Sequence, residues 1–231
     1  MQTRRQRMRR LARSGWQRHL TLVAPVAAAV TAAVTISALG AFSATVTQNG
    51  TFTGGSIVLK ENGSSTNCYS AGVSSGAIVG GNSYACATVD AFGAPTGQLP
   101  GGTPNTQTLT FTNAGSSNAS SFTLTPGSCS ASAGGTFYGG DSSAAFCGKV
   151  DVTIGNGASV CYFPAQSSAC PAPSSSDTLT GLGSGGSIAI GAGVNAGASD
   201  AVVIVTELDP SAAGSDMGLE ATQGFTWTLN Q

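Results

Sequence analysis

The chain has little charge and almost no basic residue beyond its first eighteen positions. Of its 231 residues nine are Lys or Arg, and all the arginines precede position 19. Only Lys60 and Lys149 follow, against ten acidic residues, so the part beyond residue 41 carries a formal charge of −8. Because this part has no basic patch to hold a phosphate backbone, nucleic acid is not an expected partner.

Histidine is equally scarce, and its absence limits the chemistry. The one histidine, His19, lies in the basic head, so residues 42–231 contain neither histidine nor arginine. A Ser-His-Asp triad, a Cys-His pair and a His-Glu-x-x-His zinc site therefore cannot be assembled there. Serine without a base to activate it is a poor nucleophile. The sequence predicts no catalytic residue, no metal ligand and no cofactor.

Paired carboxylates are the remaining route to an enzyme. Asp200, Glu207, Asp209 and Asp216 cluster late in the chain. Two of them could serve a glycosidase, or several could bind calcium through their oxygens. Their spacing does not match an EF-hand loop. We therefore interpret them as ordinary solvated acids on loops and strand ends.

An uncharged segment, Leu20–Ala41, follows the basic head and is rich in alanine and valine. Residues 1–19 and 20–41 together have the n-region and h-region of a secretory signal peptide, which predicts export of 42–231 as a single domain. The same run is long enough to cross a bilayer, so an uncleaved anchor is the alternative. In both cases only this segment contacts the membrane, and 42–231 is predicted to be extracellular.

The cysteines support the same compartment. All six lie beyond residue 41, which fits an oxidising environment and three disulfides. Six cysteines allow about fifteen pairings. The favoured hypothesis joins neighbours along the chain, as Cys68–Cys86, Cys129–Cys147 and Cys161–Cys170. Each bridge would add ~3 kcal/mol by restricting the unfolded chain.

Apolar and polar residues alternate beyond residue 42, which indicates half-buried strands. The clearest cases are 108–112, 121–125 and 225–229. Further predicted strands are 56–60, 84–89, 149–154, 159–163, 177–182 and 201–208, and the glycine-rich 181–197 is predicted to be mostly loop. No apolar helical period lasts three turns without Gly or Pro. We expect an all-β fold, an antiparallel β-sandwich of jelly-roll type with about nine or ten strands, stapled by disulfides.

The residues at the end of the hydrophobic run carry a family resemblance. They are Gly40-Ala41-Phe42-Ser43, followed by Asn49-Gly50-Thr51-Phe52-Thr53 and a strand that ends in Leu59. This segment resembles the export signal and first strand of TasA/camelysin-type secreted proteins, and 207–210 and 225–231 are similar to actinobacterial members. The resemblance implies a jelly-roll domain, a cell-surface or biofilm-matrix location, and cleavage by a SipW-type signal peptidase between Ala41 and Phe42.

For the TasA branch, the resemblance also implies fibres in which the mature amino-terminal strand completes the sheet of the next subunit. Segment 42–52 suits this role, because it is uncharged and places Phe42, Ala44 and Val46 two residues apart. We therefore expect a structural extracellular protein whose partners are copies of itself in a filament. The alternative is that 42–52 pairs within its own subunit and leaves a monomer.

Two other functions are considered. The camelysin branch carries a metallopeptidase label, but residues 42–231 offer no histidine for an ordinary zinc site, so the activity is not carried over and no enzyme is predicted. A cell-wall-associated adhesin or binding module would need a recognition surface. Tyr69, Tyr84, Tyr138 and Tyr162 are its aromatic candidates.

Overall fold

The computed structural model describes residues 51, 53–62, 67–72, 82–86, 89–136 and 138–231. Residues Thr53–Gln231 form one compact unit. The predicted signal peptide, the cleavage junction at Ala41 and Phe42, and the donor positions Phe42, Ala44 and Val46 lie outside the described residues. Among the helices of the described part, none combines the length and hydrophobicity that crossing a bilayer requires.

The described residues form nine strands and two short helices. The strands are β1 (Leu59–Asn62), β2 (Asn67–Tyr69), β3 (Asn105–Asn113), β4 (Ser121–Ala133), β5 (Val150–Gly155), β6 (Cys161–Phe163), β7 (Ile188–Gly191), β8 (Ser199–Leu208) and β9 (Leu219–Asn230). The helices are α1 (Ser143–Cys147) and α2 (Leu179–Ser184), and a 3-10 turn covers Gly214–Asp216.

Two antiparallel sheets make up the sandwich. A six-stranded sheet, here called the wide sheet, has the order β2-β1-β3-β8-β5-β6, and a three-stranded narrow sheet has the order β7-β4-β9. From β3 to β4, β4 to β5, β6 to β7, β7 to β8 and β8 to β9 the chain crosses between the sheets, as in a jelly roll. The predicted fold class, a disulfide-stapled antiparallel β-sandwich of jelly-roll type, is confirmed.

The core lies between the inner faces of the two sheets, and the alternation in the sequence places it there. In β3, Leu109 and Phe111 are fully buried, whereas Thr108, Thr110 and Thr112, which alternate with them, face away from the core. Phe122 of β4 meets Phe111 edge to face, with ring centroids 5.2 Å apart, so these two strands join the sheets. Burial of one such side chain contributes about 1.5–3 kcal/mol.

The three disulfides join cysteines that are neighbours in the chain, in the order favoured from the sequence. Cys68–Cys86 has a Cα separation of 6.0 Å, Cys129–Cys147 one of 6.1 Å and Cys161–Cys170 one of 4.6 Å. No cysteine of the described part is free. Each of these bonds closes a short loop, and two of them hold edge strands of the wide sheet.

Two strand predictions are wrong. The predicted strand 177–182 is largely helix α2, because the Thr178 hydroxyl caps the helix by accepting the Gly181 N–H at 3.3 Å. Its leucines, Leu179 and Leu182, are three positions apart and both enter the core from one face of the helix. The described residues of the predicted strand 84–89 lie outside any strand, and 181–197, predicted to be mostly loop, contains β7.

Candidate functional site

Strand β9 forms a long edge of the narrow sheet. On one side it pairs with β4 from Ser121 opposite Asn230 to Ala133 opposite Leu219. On its other side no strand of the described part pairs with it. Because an edge strand presents backbone N–H and C=O groups to its surroundings, this side of β9 is able to accept a further strand.

A groove of about 720 Å³ runs beside this edge. One wall consists of ten consecutive residues of β9, from Glu220 to Leu229. The opposite wall comes from the inner faces of β1 and β2, including Leu59, Glu61 and Cys68. The groove exists because the wide sheet extends past β9, so that β1 and β2 have no strand of the described narrow sheet opposite them.

Aromatic side chains form the inner part of the groove. On β9, Phe225, Trp227 and Leu229 alternate with threonines and face the core. The Trp227 ring lies 4.4 Å from the ring of Phe111, centroid to centroid, and Phe225 meets Phe92 edge to face at 5.5 Å. Trp227 and Phe225 remain half-buried, so an apolar side chain entering the groove would gain contact with them.

Glu61 is the unusual polar residue of this groove. It lies directly opposite Phe111 on β3 and Cys68 on β2, so its side chain shares the inner face of the wide sheet with the core. Burial raises the pKa of this carboxyl to about 7. The neighbouring Lys60 points to the other face, with its ammonium 5.9 Å from the centre of the Tyr69 ring. Among the described residues that line the groove there is no lysine or arginine.

The four late acids do not form one site. Asp200 and Glu207 lie seven residues apart on β8, about 23 Å at strand geometry. Asp209 and Asp216 are buried, which corrects the interpretation that all four are solvated. Hydrogen bonds from the Ser211 hydroxyl and N–H lower the pKa of Asp209. Asp216 accepts the Ala213 N–H at 2.8 Å and so caps the 3-10 turn.

Asp151, which no sequence pattern singles out, lies opposite Glu207 in the pairing of β5 with β8. Its side chain is 2 % exposed, and burial, followed by the charges of Asp209, Glu207 and Asp177, raises its pKa to about 6. One of its carboxyl oxygens has no hydrogen-bond partner in the described part. Even so, the described residues contain no group of three or more His, Cys, Asp or Glu placed to hold a metal ion.

A second cleft, of about 670 Å³, lies beside the 3-10 turn. Leu99 and Met217, exposed by 72 % and 69 %, line it together with the buried Leu179 and Phe146. The loop that carries Leu99 is fastened to β8 by a 2.8 Å hydrogen bond from the Gly101 N–H to the Leu208 carbonyl. This apolar cleft is of a size that accepts a small ligand.

The tyrosines do not make one recognition surface. Tyr69 and Tyr162 lie on β2 and β6, which are opposite edges of the wide sheet. Tyr84 and Tyr138 are each 59 % exposed and lie in loops. Of the four, only Tyr84 lines the groove beside β9.

No protein-family model matches this chain, and no curated protein sequence matches it. The candidate site therefore depends on the geometry alone. The groove is built from distant parts of the chain, among them Leu59 and Glu61 of β1, Asp90 and Phe92, and Glu220–Leu229 of β9. The strand pattern around Trp227 was visible in the sequence, but its position at an edge of the described narrow sheet was not.

Proposed function

We propose that this protein is a structural extracellular subunit that assembles into a surface or biofilm-matrix fibre. The segment 42–52 of one copy enters the groove of the next and adds a strand to β9, as the resemblance to TasA-type proteins implies. The single observation that carries the proposal is the 12-residue edge strand β9, bordered along ten of its residues by a groove with an aromatic wall.

The chemistry of the segment fits the chemistry of the groove. Strand addition would give the N–H and C=O groups along β9 new partners. Phe42, Ala44 and Val46 would face inward against Trp227 and Phe225, and the residues between them would face outward with the threonines of β9. The segment carries no charge, so it brings no like charge to an acidic subunit.

Donation from one subunit to the next is a heterologous contact, and such contacts generate filaments when they do not close into rings. The three disulfides suit the oxidising compartment outside a cell, where the proposal places the fibre. A SipW-type signal peptidase acting between Ala41 and Phe42 would free the donor segment.

The experiment is electron microscopy of the secreted protein, with amino-terminal sequencing of the same sample. We expect filaments whose subunits begin at Phe42. The variant Val46→Asp should abolish them, because it would bury a charge in the groove. Its matched control, Thr47→Asp, puts the same charge on the outward face and should leave filaments in place. Monomers at high concentration, correctly cleaved and oxidised, would contradict the proposal and favour pairing of 42–52 within its own subunit.

A second candidate function rests on the apolar cleft beside the 3-10 turn. Its exposed Leu99 and Met217 would suit a cell-wall-associated binding module. A monomer that binds isolated cell wall saturably, and loses binding on Met217→Ser, would support this function over the fibre.

A further inference from the structure

The groove beside β9 contains a carboxyl group with no countercharge. Glu61 projects from the inner face of β1, with Phe111 as its cross-strand neighbour. Phe111 in turn contacts Trp227 of β9, so the carboxyl and the aromatic wall are adjacent. No ion pair or hydrogen bond of the Glu61 side chain is formed within the described residues, and the other ionisable groups that line the groove are Asp90, Glu220 and Tyr84, none of them basic.

Glu61 is half-buried, and withdrawing a carboxylate from water is costly unless a cation accompanies it into the site. The raised pKa of Glu61, about 7, reflects that cost. The chain has only two lysines beyond residue 41 to supply the cation, and Lys60 faces the other side of the sheet while the Lys149 ammonium donates to the Ser211 hydroxyl at 2.7 Å. A partner that fits this groove therefore brings its own positive charge.

The proposed donor segment has one source of positive charge, its own amino terminus. Residues 20–59 contain no ionisable side chain. Hydrolysis of the Ala41–Phe42 peptide bond adds the hydroxyl of water to the Ala41 carbonyl and a proton to the Phe42 nitrogen, which then takes up a further proton. The ordinary pKa of an α-amino group is about 7.7–8.0, so it is largely cationic at neutral pH.

We propose that the groove recognises the newly cleaved amino terminus of the donor, with Glu61 pairing with the α-ammonium of Phe42 and the Trp227 wall receiving the Phe42 ring. This inference rests on the proposed function and extends it. A chain that still carries residues ahead of Phe42 has an uncharged amide at this point, so cleavage itself makes the donor competent. Glu61 is then a specificity-determining residue of the groove.

Tryptophan fluorescence offers a direct test. The chain has two tryptophans, and since Trp16 precedes the cleavage point, Trp227 is the single tryptophan of a protein that begins at Phe42. Peptides that span Phe42–Phe52 contain no tryptophan, so their binding is followed through Trp227 on the wall of the groove. Three peptides are compared, namely the free amine, the acetylated form, and a form beginning at Ala41, which keeps the charge but moves it by one residue.

We expect the free peptide to bind the secreted protein at least about tenfold more tightly than the other two, because a charge-assisted pair would be lost. The preference should disappear in Glu61→Gln and persist in Asp141→Asn, which removes a carboxylate that does not line the groove. Equal binding of all three peptides would overturn the inference while leaving strand donation standing. If no peptide binds and the protein also forms no filaments, the proposed function fails together with the inference.

Discussion

The edge strands of the two sheets differ in length and in disulfide bonding. The wide sheet ends in β2 and β6, strands of 3 residues each, and each carries a cysteine that is bridged to a nearby loop. The narrow sheet ends on one side in β7, with 4 residues, but on the other side in β9, with 12. Of the edges in the described part, β9 is by far the longest.

Short and covered edge strands are a common protection against unwanted pairing between sheets. The wide sheet has this protection at both edges, and disulfides reinforce it. Strand β9, which has a partner on only one side within the described residues, lacks this protection along its length. Under the proposed function, the protected edges of the wide sheet would prevent pairing and β9 would accept the donated strand. Four variants test this interpretation of the two sheets.

The substitution with the greatest predicted loss of stability removes the contact between the two sheets. Phe111→Ala removes a side chain with no exposed surface that contacts both Phe122 and Trp227. We expect a loss of about 3–5 kcal/mol in the free energy of unfolding, measured with urea. Thr110→Ala, next to it on the outer face, is the control and should change stability by less than about 0.5 kcal/mol. Similar losses for both variants would mean that Phe111 does not hold the sheets together.

The next effect concerns the stapled edge of the wide sheet. The double variant Cys68→Ala, Cys86→Ala should lose about 3 kcal/mol, because the bond restricts an 18-residue separation in the unfolded chain. Amide hydrogen exchange should rise in β1 and β2 and remain unchanged in β9. Removing Cys161–Cys170 should instead raise exchange in β6. Faster exchange throughout the protein would show that the bonds stabilise the whole fold rather than its edges.

Much of the fold could be predicted because single strands carry their own signal. In 108–112, 121–125 and 225–229 the alternate residues really do face the core, as Phe111, Phe122 and Trp227 show. The disulfide order was also accessible, since pairing neighbours along the chain closes short loops. The strand prediction for 177–182 was wrong because two leucines three positions apart suit a helix face as well as an irregular strand. Thr178 then provides the cap that starts the helix.

The candidate site could not be predicted in the same way. The groove depends on β1 and β2 extending the wide sheet beyond β3, and on β9 being an edge strand of the narrow sheet in the described part. These are long-range pairings without a local pattern. Glu61 stands beside Lys60 in an unremarkable strand end, and only the pairing with Phe111 reveals that its carboxyl faces inward. The cause of its raised pKa is thus a tertiary contact.

A smaller change in stability is expected for Glu61 in the groove, and it should depend on pH. Because burial raises the folded-state pKa of Glu61 from 4.5 to about 7, the neutral form stabilises the protein below pH 4.5, and this stabilisation is lost as the pH rises through about 7. Glu61→Gln should therefore match the wild type at pH 4 and exceed it by about 1–2 kcal/mol at pH 8, after allowance for partial solvent screening. Urea unfolding at both pH values measures this, with Glu220→Gln as the control. A pH-independent difference would contradict the burial of Glu61.

The smallest effect on stability should accompany a clear effect on assembly. Thr125 of β4 and Thr226 of β9 lie directly opposite each other and both are exposed, so a lysine at either position should change the free energy of unfolding by less than about 0.5 kcal/mol. Their surroundings differ, since β4 has strands on both sides and β9 has one. Charged residues on an edge strand oppose the addition of another strand. Thr226→Lys should therefore reduce filament yield more strongly than Thr125→Lys, as counted by electron microscopy. Equal yields from two equally stable variants would mean that the edge of β9 is not the surface on which the fibre is built.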